Sequence, residues 1–178
     1  MVQVRVLGIA LDGSGQHIVL LKPLVEETDV NRVLPIWIGE QEATSILIAI
    51  SGEHAPRPLA HDLMKSMLDT LSIDVERVEV TRIDDGTFYA EITLDSPTGP
   101  YVIDARPSDA VALAVRANAP IFVAAAVLDD AGIPAEMAEP RGDDEDADDE
   151  ADEEKDEEAK LDEFKKFLEE VDPEDFQG

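Results

Sequence analysis

Apolar and polar residues alternate along VQVRVLGIAL (residues 2–11), and a short apolar run follows in HIVLLKPL (17–24). Between them DGSGQ supplies two glycines, so the pair predicts a β-hairpin. RVLPIWIG (32–39) reads as a third, largely buried strand. The spacing then turns helical in EQEATSILIAISG, with Ala43, Ile46, Leu47 and Ile50 on one face and Gly52 as a stop. HAPRP interrupts the chain, after which Leu59, Leu63, Met67, Leu68 and Leu71 predict a second amphipathic helix. VERVEVTRI and FYAEITLD alternate with period two around DDGT, a strong hairpin signal, and PTGPYVIDA adds another turn and strand. DARPSDAVALAVR opens a helix that must stop near Asn118, because Pro120 cannot continue it. PIFVAAAVLDDAGI completes the order with a short strand and a short helix. Strands, two helices, strands, helix, strand, helix predict an α+β domain: a mixed, largely antiparallel sheet with helices packed on it.

Beyond Pro134 the pattern fails. Residues 136–178 hold 22 of the 42 acidic residues and 5 of the 14 basic ones, a net charge of −17 out of −28. The expected organisation is a domain over 1–135, an acidic disordered linker over 136–153, and an amphipathic helix with its tail over 154–178. Leu161, Phe164, Phe167, Leu168 and Val171 give that helix an apolar face suited to docking on its own domain or on a protein partner, and Asp172-Pro173 ends it. The absence of cysteine excludes a disulfide framework and any thiolate metal site or nucleophile. The first residues read as a strand and not as a signal peptide. No apolar stretch approaches the roughly 18 residues a membrane span needs, so the expected location is the cytoplasm. Nine scattered basic residues in 1–135 form no patch for nucleic acid, so any such contact must be local or metal-bridged.

Three helix starts gather the polar residues that capping explains only partly. In WIGEQEA, Glu40 and Glu42 favour the helix dipole, and Glu42 can reach back to the cap; alternatively either is a metal ligand or general base. In RPLAHDLM, Pro58 favours a helix start that brings Arg57, His61 and Asp62 to the first turn. A His-Asp pair there serves as base and orienter, or as two ligands of a divalent ion, or merely supports the helix. In DARPSDA, Ser108 suits an N-cap and Asp109 suits the dipole. Arg106 does not: a cation beside a helix N-terminus requires an anion between them, either a phosphate or a carboxylate such as Asp104 or Asp109. A glycine-rich phosphate loop, an HExxH zinc motif and a GxSxG elbow are all missing.

LPIWIGEQEATSI, RPLAHDLM and DARPSDAVALAVR, followed by API, occur in the order that marks the bifunctional nuclease domain family of bacteria and plants, and residues 1–135 resemble it. The tail ending FKKFLEEVDPEDF is similar to the extension of bacterial members. The resemblance implies an α+β fold with a mixed sheet, a tendency to dimerise, and nuclease activity on DNA and RNA. One departure is Ala60, where the family usually has threonine, a natural N-cap for the helix carrying His61. Two readings follow. In the first, a divalent ion (magnesium or manganese) held by Glu42, Asp62 and Asp109 assists phosphodiester hydrolysis of nucleic acid. His61 is then general base or acid, and Arg57 and Arg106 steady the phosphate beside Ser108. In the second, the chain is a dimeric, non-catalytic regulatory or interaction module with an acidic docking tail.

Overall fold

β1 (Val2–Leu11), β2 (His17–Pro23) and β3 (Arg32–Ile38) form an antiparallel meander. The computed structural model describes residues 1–25, 32–53 and 55–135. The expectations for residues 136–153 and 154–178 lie outside them. Two helices follow, α1 (Glu40–Ser51) and α2 (Ala60–Thr70). A second antiparallel meander comprises β4 (Asp74–Asp84), β5 (Thr87–Asp95) and β6 (Tyr101–Ala105). Its tight turn uses positive φ at Asp85 and Gly86, as the DDGT signal requires. Then come α3 (Pro107–Ala117), β7 (Ile121–Val123), α4 (Ala125–Ala131) and the two-residue β8 (Ile133–Pro134), which the sequence pattern does not announce.

β7 joins the two meanders. It pairs antiparallel with β1 and parallel with β4, giving the order β6-β5-β4-β7-β1-β2-β3-β8. The only parallel pairing among the described strands therefore sits at the seam, and α3 supplies the crossover that a parallel pair needs. α3 begins with Pro107, whose missing N–H costs nothing in a first turn, and ends where Asn118 takes the left-handed conformation at φ 52°. Ala110, Val111, Ala112, Leu113 and Ala114 are buried, and α3 packs on β4, β5, α1 and α2. Its alanines allow that close approach on several sides.

The two preceding helices depart from their predicted faces. In α1, Ala43 and Ile46 are buried, whereas Leu47 and Ile50 are exposed and Ser45 turns inward. In α2 the departure is larger: Leu63, Met67 and Leu71 are exposed, and only Leu68 of the apolar stripe packs against the core. The inward positions are His61, Asp62, Lys65 and Leu68. Hydrogen bonds to α1 and α3 orient α2 through its polar side. No helix among the described residues is long and apolar enough to cross a membrane.

Candidate functional site

The three helix starts share one design. Each carries a carboxylate at its third residue: Glu42 in α1, Asp62 in α2 and Asp109 in α3. A carboxylate there ordinarily bends back to the free N–H of the cap residue. Asp62 does so, its Oδ2 accepting from the Leu59 N–H at 2.8 Å. Glu42 and Asp109 make no cap hydrogen bond and instead both accept from Arg106. Two of the three caps are thus exchanged for an ion cluster.

Arg106 is the N-cap residue of α3, the position the sequence suggested for Ser108; Ser108 is buried in the first turn instead. The Arg106 Nε donates to Asp109 Oδ2 at 2.8 Å, and its Nη2 donates to Glu42 Oε1 at 2.8 Å and Asp109 Oδ1 at 3.1 Å. These carboxylates answer the electrostatic problem of a cation at a helix N-terminus, and they raise the guanidinium pKa further. Glu42 folds over Gly39, where a Cβ would stand 2.3 Å from Glu42 Oε2. Glycine is therefore needed for the carboxylate's position, not for the backbone, which is extended there.

His61 is 6% exposed. Burying an imidazole without partners costs on the order of 2 kcal/mol. Both nitrogens are satisfied: Nδ1 lies 2.9 Å from Ser45 Oγ, and Nε2 lies 3.2 Å from Asp109 Oδ1. Burial pushes the Asp109 carboxyl up, but hydrogen bonds from Arg106 and His61 outweigh it, and the net displacement is downward. An ionised Asp109 only accepts, so the ring N–H that faces it is on Nε2, and with the proton there Nδ1 is left to accept from the Ser45 hydroxyl. The chain Ser45–His61–Asp109–Arg106–Glu42 lines a cleft of about 710 Å³ between the starts of α1, α2 and α3.

Arg116, 8% exposed in its side chain, joins the same three helices from behind. It donates to Asp62 Oδ1 at 2.5 Å, to the Ala112 carbonyl at 2.9 Å and to the Ser45 carbonyl at 3.1 Å. The hydrogen bond from Arg116, followed by that from the Leu59 N–H, holds the Asp62 carboxyl below its ordinary range.

The structure thus brings together Glu42, His61, Arg106 and Asp109. Asp62 belongs to the supporting ion pair and does not line the cleft, and Arg57 is exposed and lines neither of the clefts beside Arg106. Ser108 faces a second cleft on the far side of Arg106. The N-cap of α2 is Leu59, so Ala60 occupies the first helical turn, and a threonine there would not have been the cap. The three expected metal ligands do not assemble: no group of three His, Cys, Asp or Glu residues among those described is placed to hold an ion. Glu42 and Asp109 hold Arg106, and Asp62 holds Arg116. Sequence reasoning missed Ser45 and Arg116. The available signal for Ser45 was its spacing of three residues from Glu42, which puts both on neighbouring parts of one helix surface.

The bifunctional nuclease domain model matches residues 23–136. An uncharacterized protein of Mycobacterium tuberculosis is 38% identical over 178 residues, covering all of this chain and 99% of its own length. Bifunctional nuclease 2 of Oryza sativa subsp. japonica is 32% identical over 113 residues, 60% of this chain but 35% of the rice protein. Bifunctional nuclease 2 of Arabidopsis thaliana is 30% identical over 100 residues, 54% of this chain and 30% of that protein. The matched residues contain all three helix starts and β7 with its parallel partner β4, and on this match the chain belongs to the bifunctional nuclease domain family.

Proposed function

We propose that this protein hydrolyses phosphodiester bonds of nucleic acid, DNA, RNA or both, in the cleft over His61. The observation that supports this most is the hydrogen-bonded chain from Ser45 through His61 and Asp109 to Arg106. A phosphodiester needs a proton acceptor for the attacking oxygen and positive charge for the phosphoryl oxygens. His61 has its accepting nitrogen turned to Ser45. Water entering beside that hydroxyl gives its proton to Nδ1 as its oxygen bonds to phosphorus, the P–O ester bond breaks, and the imidazolium returns the proton to the leaving oxygen. Asp109 holds the opposite ring nitrogen and stabilises the imidazolium that forms. Arg106 is 65% exposed, and its Nη1 has no partner among the described residues, so it offers a donor edge to the phosphate. A magnesium or manganese ion would require Glu42 and Asp109 to leave Arg106.

The test is cleavage of single-stranded DNA and RNA by wild type and His61→Ala, with magnesium, with manganese and with EDTA. Cleavage in EDTA that disappears in His61→Ala supports the reading. Cleavage unaffected by the substitution removes His61 from the chemistry, and cleavage only with added ion overturns this assignment of roles.

A second reading, a dimeric interaction module, is favoured by exposed apolar side chains on α1 and α2 and along Tyr101–Ile103 of edge strand β6. It becomes the better account if the folded protein cuts neither substrate yet sediments as a dimer.

A further inference from the structure

Arg106 separates two clefts. The second, about 700 Å³, lies between the first turns of α1 and α3, with Trp37 of β3 and Phe88 of β5 on its walls. We propose that this cleft binds one nucleotide unit, with its phosphate at the N-terminus of α3 against the Ser108 hydroxyl and its base against the Trp37 ring. The proposal rests on the nucleic-acid reading only for the identity of the ligand.

Ser108 supplies the first argument. It is 6% exposed and lines the cleft, yet its hydroxyl has no hydrogen-bond partner among the described residues. The residue is buried while its hydroxyl oxygen stays open to the cleft, so an acceptor arriving there pairs with it without displacing a protein partner. The helix end beside it is open as well. Pro107 has no N–H, the N–H groups of Ser108 and Asp109 have no acceptor among the described residues, and Asp109 is turned away to Arg106 and His61. Free N–H groups, the helix dipole and an unpaired hydroxyl together form a phosphate cradle.

Trp37 supplies the second, independent argument. It is 53% exposed on a strand whose preceding four residues, Val33–Ile36, are buried. Its Nε1 donates to Asp12 Oδ2 at 2.9 Å, and Asp12 Oδ1 accepts from the N–H of Ser14 and Gln16 and the Ser14 hydroxyl. The turn between β1 and β2 thus clamps an indole whose exposed surface borders the cleft. A fixed aromatic ring beside a phosphate cradle suits a nucleobase, because stacking tolerates any base and costs little ordering. Arg106 lines both clefts, so phosphates in the two would flank one guanidinium. Glu40, exposed on the same rim, opposes the anion.

Trp37 is the only tryptophan in the chain, so its fluorescence reports this cleft directly. The full chain is titrated with adenosine 5′-monophosphate, with adenosine and with inorganic phosphate. Expected are saturable quenching by the nucleotide, weaker quenching by adenosine, and competition by inorganic phosphate without quenching of its own. Ser108→Ala, with an unchanged circular dichroism spectrum, weakens the nucleotide about tenfold, the loss of one hydrogen bond to a charged group. Glu40→Gln tightens it. Absence of quenching, quenching without competition by phosphate, or equal affinity in Ser108→Ala overturns the proposal. No bond is cut in this titration. A protein that binds the nucleotide but cleaves nothing loses the nuclease reading and keeps this site, and one that cleaves without quenching does the reverse.

Discussion

His61 Nε2 stands 3.2 Å from Asp109 Oδ1, joining residues 48 positions apart at the starts of two different helices. The same carboxylate is held from its other side by Arg106. An imidazole oriented in this way is prepared to gain a proton at Nδ1 without moving. His61→Ala is expected to lower cleavage about 100-fold or more, in the range of lost general acid–base catalysis. Asp109→Asn lowers it comparably, and the double variant is no worse than the poorer single one, because the two act as a unit. Single-turnover cleavage of one oligonucleotide by the three variants checks this.

Gly39 provides the room for Glu42. Gly39→Ala fits the local backbone and meets only the far end of the Glu42 side chain, so unfolding by urea is expected to change by less than about 1 kcal/mol. The displaced carboxylate releases Arg106. Gly39→Ala and Glu42→Gln are then expected to lower kcat alike, by about tenfold, through loss of positioning. Unequal effects of the two would show that Glu42 does not act through its place over Gly39.

Asp62 and Arg116 are expected to matter for stability. Asp62→Ala removes the carboxylate partner of a buried guanidinium that keeps the Ala112 and Ser45 carbonyls. Since Asp62 is itself 36% exposed, the expected cost is about 2 kcal/mol, that of one hydrogen bond to a charged group. Equilibrium urea unfolding measures the loss, and cleavage per folded molecule is expected to stay close to wild type.

The pH dependence follows from the same carboxylates. Asp62 and Asp109 both have folded-state pKa values below their ordinary value of 3.8. The unfolded chain therefore binds their protons first as the pH falls. Their contribution is complete above about pH 5, declines below about pH 4, and is lost as the folded-state values are passed. Urea midpoints measured from pH 6 downwards should fall along this limb, and Asp62→Asn should flatten it.

Thr93 lies buried in β5, its Oγ1 without a hydrogen-bond partner among the described residues. Thr93→Val keeps the shape and removes the unsatisfied group. Its expected effect on thermal unfolding is neutral to stabilising, by up to about 1 kcal/mol.

Much of the architecture is legible in short stretches. The β4–β5 turn is marked by Asp85-Gly86, and the extent of α3 by Pro107 and Asn118, because each of these residues favours a backbone conformation locally. The polar starts of α1, α2 and α3 are legible for the same reason. The orientation of α2 is not. Its apolar stripe shows that Leu63, Met67 and Leu71 share a face, yet periodicity does not say which face is covered. His61 and Asp62 decide that through partners in α1 and α3. Ser45 and Arg116 are equally silent in sequence, since each is an ordinary helical residue until a neighbouring helix is placed beside it.

The sequence by itself determined the elements, their order, the acidic character of residues 136–178, and the family to which the domain belongs. Tertiary structure alone decided that β7 closes the sheet between β1 and β4, and that three helix starts meet at Arg106. It also decided that Glu42 and Asp109 serve that arginine while Asp62 serves its own cap and Arg116. Capping is a local choice among atoms a few residues apart, so sequence displays it. An ion cluster is a choice among atoms 64 positions apart, as between Arg106 and Glu42, and only the packing of the helices brings those atoms within reach.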